Sequence, residues 1–295
     1  MTKVTIPIQG NRRVDQCLYE YFQGTYSRSF LQQCIAEGRL LAGDKPITKP
    51  AYKAKSDDNF TFLLPEPESN ELESSNINVE ILFQDDDLAV ILKPYGMTVH
   101  PGAGRKQDTL VNALLGKIPL AETDDPWRPG IVHRLDRETE GLLVIAKNRH
   151  AHWKLSRLFA ERQVKKTYHA FLSSVPALPE AQVEGYIRRD PKNRKLMKFE
   201  THSSAGAKLA QLSYRSLSGK LVEVDLKTGR THQIRATFKA LRNPVLGDSL
   251  YGKKSDRGLC LFAVQLEFHH PGSGKLLSFQ MPTSSRYKAA LKSFG

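Results

Sequence analysis

Twelve residues, Pro65 to Asn76 (PEPESNELESSN), partition the chain before any element is assigned. They contain four Glu, no Lys or Arg, two Pro, three Ser and two Asn. A segment this polar has too little apolar surface to bury, and its prolines interrupt regular structure. The 295 residues therefore divide into a small head, 1–64, an acidic linker, 65–76, and a large body, 77–295. Charge divides the same way. With +3 on the head and −4 on the linker, the total of +13 leaves +14 on the body. Such an excess says little about fold, but it biases the body toward polyanionic partners such as nucleic acid.

In the head, Val14, Cys17, Leu18 and Tyr21 recur at helical spacing, predicting a helix over 13–22. Ser27 is placed to cap a second helix over 28–37, with Phe30, Leu31, Cys34 and Ile35 as its stripe and Gly38 as its stop. Residues 40–62 read as short strands around turns at Gly43-Asp44 and Lys49-Pro50. In the body, strands are predicted over 79–83, 88–92, 141–147, 167–172, 221–226 and 261–268, and helices over 149–162 and 231–241. The first of these helices carries Trp153, Leu155, Leu158 and Phe159 on its apolar side. Strands outnumber helices and do not alternate regularly with them, so the class is α+β rather than a doubly wound parallel sheet.

No run approaches the ~18 apolar residues of a membrane span, and the first residues have no hydrophobic signal core. Cys17, Cys34 and Cys260 are odd in number and far apart, so no disulfide framework is encoded and a reducing, cytoplasmic home is expected. Gly272-Ser273-Gly274-Lys275 lacks the flanking residues of a phosphate loop and reads as a hairpin turn. His133-Arg134-Leu135-Asp136 is not the kinase catalytic loop, which has no inserted leucine. His269-His270 and His150-Ala151-His152 have no Cys or Glu at metal-ligand spacing. No cofactor and no metal is implied.

One constellation remains. Gly130 to Lys147 (GIVHRLDRETEGLLVIAK) runs a densely charged loop straight into an apolar strand, a common way of mounting functional groups on a rigid element. Taken alone, it also fits a solvated turn in which Asp136 pairs with Arg134 or Arg137. The segment closely resembles the central motif of the RluA/RluD-type pseudouridine synthases: His-Arg-Leu-Asp, two variable residues, Thr, a small residue, Gly and an apolar strand. Leu92-Lys93-Pro94-Tyr95-Gly96 with Val99-His100-Pro101-Gly102, then Lys166-Thr167-Tyr168-His169-Ala170, resemble further family segments in the right order. Gly229 to Arg235 (GRTHQIR), Pro244 to Asp248 and Tyr251-Gly252 resemble its third motif. Leu261 to Pro282 resembles its terminal hairpin. Arg13-Val14-Asp15, Ser27-Arg28-Ser29, Glu37-Gly38-Arg39 and Lys49 to Lys53 in the head resemble a small S-four-like RNA-binding domain, with Leu41-Ala42-Gly43 in place of its usual Val-Asn-Gly. That pairing is typical of the RluC/RluD branch, which acts on large-subunit ribosomal RNA.

The resemblance implies a mixed, mostly antiparallel sheet with flanking helices, plus the small α/β head. It implies isomerisation of uridine to pseudouridine in RNA, without a cofactor, by a monomeric cytoplasmic enzyme. A carboxylate suits this chemistry, since it can attack the sugar, add to the ring or take a sugar proton. By resemblance that carboxylate is Asp136. It must stay ionised in a shielded pocket, which a cation within about 4–6 Å favours, and Arg235 is its expected partner. Arg134 matches the residue that fills the space of the flipped uridine, and Tyr168 the aromatic that stacks on it. Leu135 and Val132 supply apolar wall, and His133 is structural. Backbone affinity is expected from Arg105, Lys106, Arg188, Arg189, Lys192, Arg194, Lys195 and Lys198, and in the head from Arg12, Arg28 and Lys53. Glu140 stands where the family has Ser or Thr, and Thr237 where a His is usual. The same chemistry on transfer RNA, or a non-catalytic ribosome-assembly role, remain the alternatives.

Overall fold

Every residue of Glu140–Ala146 is buried, and successive side chains go to different places. Leu143 and Ile145 join one apolar cluster, while Leu142, Val144 and Ala146 join another. A strand covered on both faces needs an uninterrupted apolar run, which is what GLLVIA supplies. This strand is near the middle of the larger of two units in a computed structural model that describes residues 2–7, 11–22, 28–54, 60–64, 72–102, 107–123 and 125–294.

The division falls between Leu72 and Glu73, within the expected linker; residues 123–127 group with the smaller unit. Of that linker, residues 65–71 lie outside the described ones. Glu73 and Ser75 are tied to the body: the Asn112 side chain donates to the Glu73 carbonyl, and the Ser75 N–H to the Asn112 carbonyl.

The smaller unit runs β1 (Thr2–Ile6), α1 (Val14–Tyr21), α2 (Arg28–Ala36), β2 (Leu40–Ala42), β3 (Lys45–Ile47) and β4 (Phe60–Leu64). Its strands form an antiparallel sheet in the order β1-β4-β2-β3. The helices, the short strands and the turn at Gly43-Asp44 appear as their spacing predicts, while β1 was not predicted and Ser27 lies outside the described residues. Val14, Leu18, Leu31, Ile35, Phe60 and Phe62 form its core.

The larger unit continues with β5 (Glu80–Gln84), β6 (Leu88–Lys93), α3 (Leu110–Leu114), β7 (Glu140–Ala146), α4 (Arg149–Ala160), β8 (Lys165–Phe171), β9 (Glu180–Arg189) and β10 (Met197–Glu200). There follow β11 (Lys208–Ser218), β12 (Leu221–Leu226), α5 (Gln233–Ala240), β13 (Leu261–His269), β14 (Leu276–Gln280) and α6 (Ser285–Phe294). Ten strands make one sheet in the order β10-β9-β11-β12-β8-β13-β7-β6-β5, with β14 paired to β13. All pairings are antiparallel except β7 with β13. This is the mixed α+β architecture expected. The Gly272–Gly274 segment is the turn of the β13–β14 hairpin, as predicted.

The parallel seam spans two pairs, Phe262 with Glu140 and Ala263 with Gly141. Gly141 is required there: its φ is +136°, and a Cβ would stand 2.3 Å from the Ala263 carbonyl oxygen. Ala263 in turn faces Tyr168 of β8. Gly141, Ala263 and Tyr168 thus lie in register across three adjacent strands. One sequence expectation fails on α4. Asn148 caps this helix, and Ala151 and Leu155 are buried, but Trp153 is 59% exposed. It sits off the buried stripe.

Candidate active site

The loop leading into β7 is held from several sides. The Ala146 N–H donates to the Gly130 carbonyl, and Ile131 bridges Ile145. His133 accepts the Val144 N–H on Nε2 at 3.0 Å and stacks on Phe159 at 4.4 Å between ring centres. Burial first, and the Lys166 charge second, push the His133 pKa down to about 3. The imidazole is therefore neutral, as an acceptor Nε2 requires. His133 is a strut, matching its expected structural part.

Lys93 holds the far side of the loop. Its side chain is fully buried, and its ammonium donates to the carbonyls of Pro94, Met97 and Arg137 at 2.8, 2.9 and 3.2 Å. Burial lowers its pKa to about 7, against the opposing charges of Asp136 and Glu140. Behind the loop Glu140 is buried and paired with Arg286 of α6 at 2.8 Å. The same guanidinium lies 3.9 Å from the Tyr95 ring centre and donates to the carbonyls of Arg257 and Leu259. The acid that replaces a small family residue has thus acquired a cation. Thr237, the other departure, is buried with its hydroxyl unpartnered among the described residues.

From the opposite side comes the turn before α5. The Gln233 side chain accepts from the Thr228 hydroxyl and the Arg230 N–H, and donates to the Gln211 carbonyl. His232, in the left-handed conformation at φ 53°, precedes the helix and hydrogen bonds through Nδ1 to the Tyr251 hydroxyl. This folding aims Arg235 inward.

Loop, α4, β8 and α5 enclose a cleft of about 410 Å³ lined by Asp136, Tyr168, Arg235, Arg134 and Leu135, among others. The five residues expected at the catalytic centre are thereby brought together. The Asp136 side chain is 18% exposed and that of Arg235 2%. Tyr168 is buried, and burial, then the Asp136 charge, hold its phenol far above its ordinary pKa. Arg134 is exposed at the cleft and makes no side-chain bond to the described residues. Val132 also lines it.

The expected ion pair of Asp136 with Arg235 is present, but the hydrogen bonds of this guanidinium go elsewhere. Asp136 Oδ2 is 3.8 Å from Arg235 Nη1, beyond a hydrogen bond. The bidentate partner is Asp248, at 2.8 Å from both Nε and Nη2, and Nη2 also reaches Glu138 at 3.1 Å. A buried guanidinium has five N–H donors to satisfy, more than one carboxylate can take. Those bonds and the three acidic charges outweigh burial and keep Arg235 protonated above its ordinary range. Asp248 itself is fully buried and accepts the N–H groups of Leu250 and Tyr251.

Among the expected RNA contacts, Arg12 donates from Nη2 to both carboxylate oxygens of Glu20 at 2.6 and 2.8 Å, and Arg28 reaches the buried Asp15 at 3.1 Å. Arg188 is bidentate to Glu200 at 2.9 Å, and Arg189 donates to the Arg194 carbonyl. Lys53 and Lys195 are exposed, while Arg105 and Lys106 lie outside the described residues.

Residues 87–240 match the family model described as RNA pseudouridylate synthase. The chain is 38% identical over 278 residues to the ribosomal large subunit pseudouridine synthase D of Zymomonas mobilis, covering 87% of this chain and 86% of that protein. It is 36% identical over 280 residues to an uncharacterised RNA pseudouridine synthase of Aquifex aeolicus, covering 90% and 88%. Among solved structures, human RNA pseudouridylate synthase domain containing 4 superposes with a TM-score of 0.55 at 28% identity, covering 72% of this chain and 92% of that one. With these motifs gathered around one cleft, the chain belongs to the RluA/RluD-type family of RNA pseudouridine synthases.

Proposed function

We propose that this isomerase acts on uridines of large-subunit ribosomal RNA, as a monomer in the cytoplasm, with Asp136 as its catalytic carboxylate. The observation that carries the assignment is the position of Asp136 in the cleft, 3.8 Å from a buried Arg235 and across from the buried ring of Tyr168. The ribosomal substrate is supported by the Zymomonas mobilis relative and others bearing the same name. Residues 1–64 act as an S-four-like RNA-binding domain, 65–76 as a linker and 77–295 as the catalytic domain. Among the described residues no helix is long and apolar enough to cross a membrane.

In the reaction the bond from C1′ to N1 breaks and a bond from C1′ to C5 forms. The C5 proton leaves while N1 gains one, so nothing is consumed. Arg235 supplies positive charge beside Asp136 through Nη1, while its Nε and Nη2 are held by Asp248 and Glu138. Tyr168 offers a flat face to a flipped uracil, a contact worth about 1–3 kcal/mol. The unpaired side chain of Arg134 can enter the space the base vacates, offsetting part of the few kcal/mol that flipping costs. Arg188, Arg189, Lys195, Lys53, Arg12 and Arg28, with Arg105 and Lys106, add phosphate contacts.

Tritium release from uracil-5-labelled RNA tests the reading. Native protein should release tritium from large-subunit ribosomal RNA and not from transfer RNA, and Asp136→Ala should release none. Release only from transfer RNA would reject the substrate. Full release by Asp136→Ala would reject the carboxylate.

A further inference from the structure

Helix α4 has two working faces. Ser156, Phe159 and Ala160 line the catalytic cleft, whereas Trp153, Lys154 and Arg157 line a separate groove of about 490 Å³ against the β13–β14 turn. Resting on the proposed RNA substrate, we infer that this outer groove binds single-stranded RNA flanking the target uridine, with Trp153 as the stacking platform for a base.

A lone exposed apolar side chain is ordinary, but Trp153 has three further features. It is 59% exposed, and its indole N–H has no acceptor among the described residues. The Arg157 guanidinium stands 5.9 Å from its ring centre and pairs with Glu161 at 2.6 Å on the next turn of the helix. The lining carries Lys154 and Arg157 against Glu161, with His270 paired to Asp85 at 2.8 Å, on a body whose net charge is +14. An open aromatic face beside Lys154, on a strongly basic body, suits a polyanion carrying flat bases, since stacking tolerates any base and cations follow the backbone.

The turn does not contribute an anion site through its backbone. His270 Nδ1 accepts the N–H groups of Gly272 and Ser273 at 3.0 and 2.9 Å, and the Gly274 N–H donates to the His270 carbonyl. It forms a wall. Lys154, anchored on the Pro271 carbonyl at 2.7 Å, closes the groove between turn and helix. A helix is about 10–12 Å across with its side chains, so groove and cleft lie on opposite sides of one helix width.

The chain has two tryptophans, Trp127 and Trp153. In full-length Trp127→Phe protein, Trp153 becomes the fluorescent reporter, and a 12-residue oligouridylate should quench its emission. In the native background Trp153→Ala should weaken retention of that oligomer and of a large-subunit ribosomal RNA transcript on filters about 5- to 150-fold, and Trp153→Phe should restore most of it. Lys154→Ala should weaken both less and flatten the salt dependence. If native protein retains and isomerises RNA while Trp153 neither quenches nor matters to retention, the platform is rejected and the enzyme reading stands. If Trp153 responds to an acidic protein and not to RNA, the occupant is rejected. If native protein neither retains nor isomerises RNA, both readings fall.

Discussion

Arg235 and Asp248 form a fully buried, bidentate pair with both bonds at 2.8 Å, and this pair presents the guanidinium to Asp136 from 3.8 Å. The carboxylate proposed for catalysis is served by a cation that another carboxylate holds. Breaking a buried pair by removing one member costs about 3–5 kcal/mol, because the remaining charge is left without compensation. Asp248→Ala should therefore lose about that much stability in urea unfolding and abolish tritium release. A variant within about 0.5 kcal/mol of the native protein would show that Glu138 alone can hold Arg235.

Lys93 makes stability depend on pH in a defined direction. The unfolded chain titrates this amine near its ordinary value of 10.5, the folded chain near 7. Between those limits the unfolded state binds more protons, so stability attributable to Lys93 rises with pH, by at most about 1.4 kcal/mol per unit. Below about 7 both states carry the proton, and the cost of burying the charge is present in full. Urea unfolding from pH 6.5 to 9.5 should show the native protein gaining on Lys93→Met. A constant difference between them would contradict the shift.

His133 should weaken the fold in acid. Its folded pKa is near 3 against an ordinary 6.5, so between those values only the unfolded state takes up the proton. The native protein should lose stability as pH falls from about 6.5 toward 3. His133→Leu should lack that loss while sacrificing about 1–3 kcal/mol at neutral pH, because the Val144 N–H is left without its acceptor. Parallel acid profiles for the two proteins would contradict this.

Glu140 and Arg286 should couple strongly. Arg286→Met leaves a buried carboxylate unpaired, costing on the order of 2–4 kcal/mol given that the arginine is partly exposed. Glu140→Ser alone should cost less, and the double variant should be more stable than Arg286→Met. A double-mutant cycle in thermal unfolding measures the coupling. Additive single effects would mean that the two groups act independently.

Gly141→Ala probes the seam. A methyl group 2.3 Å from the Ala263 carbonyl oxygen cannot be accommodated without moving backbone, and the φ of +136° is hostile to any other residue. A loss of about 3 kcal/mol or more is expected, together with activity, since the displaced strand carries the Asp136 loop. Near-native melting would show that the seam yields.

What local pattern could reveal follows burial. β6, β7 and β13 are legible because they are apolar through the core, and the loop before β7 stands out by its charge beside that run. β9, with the sequence EAQVEGYIRR, buries only Gly185 and Ile187, so its periodicity is faint and it was not predicted. The five residues of α3 are too few to establish a helical period. Within the site, Asp136, Arg134 and Tyr168 were found from motif and family resemblance. Glu138 lies 97 positions from Arg235, and no spacing rule connects them. Asp248 stood inside a matched segment, yet its bond to Arg235 is a product of the tertiary fold. Lys93 reads as an ordinary cation until its three carbonyl partners converge on it.

The strand that carries the Asp136 loop is completed on one edge by Ala263, made 122 positions after Gly141. During synthesis the first unit emerges with all its strands, while the Asp136 loop awaits a neighbour that has yet to be translated. Fragments released before that neighbour emerges lack the strand that lies between Gly141 and Tyr168, so premature termination leaves the cleft without one of its supports.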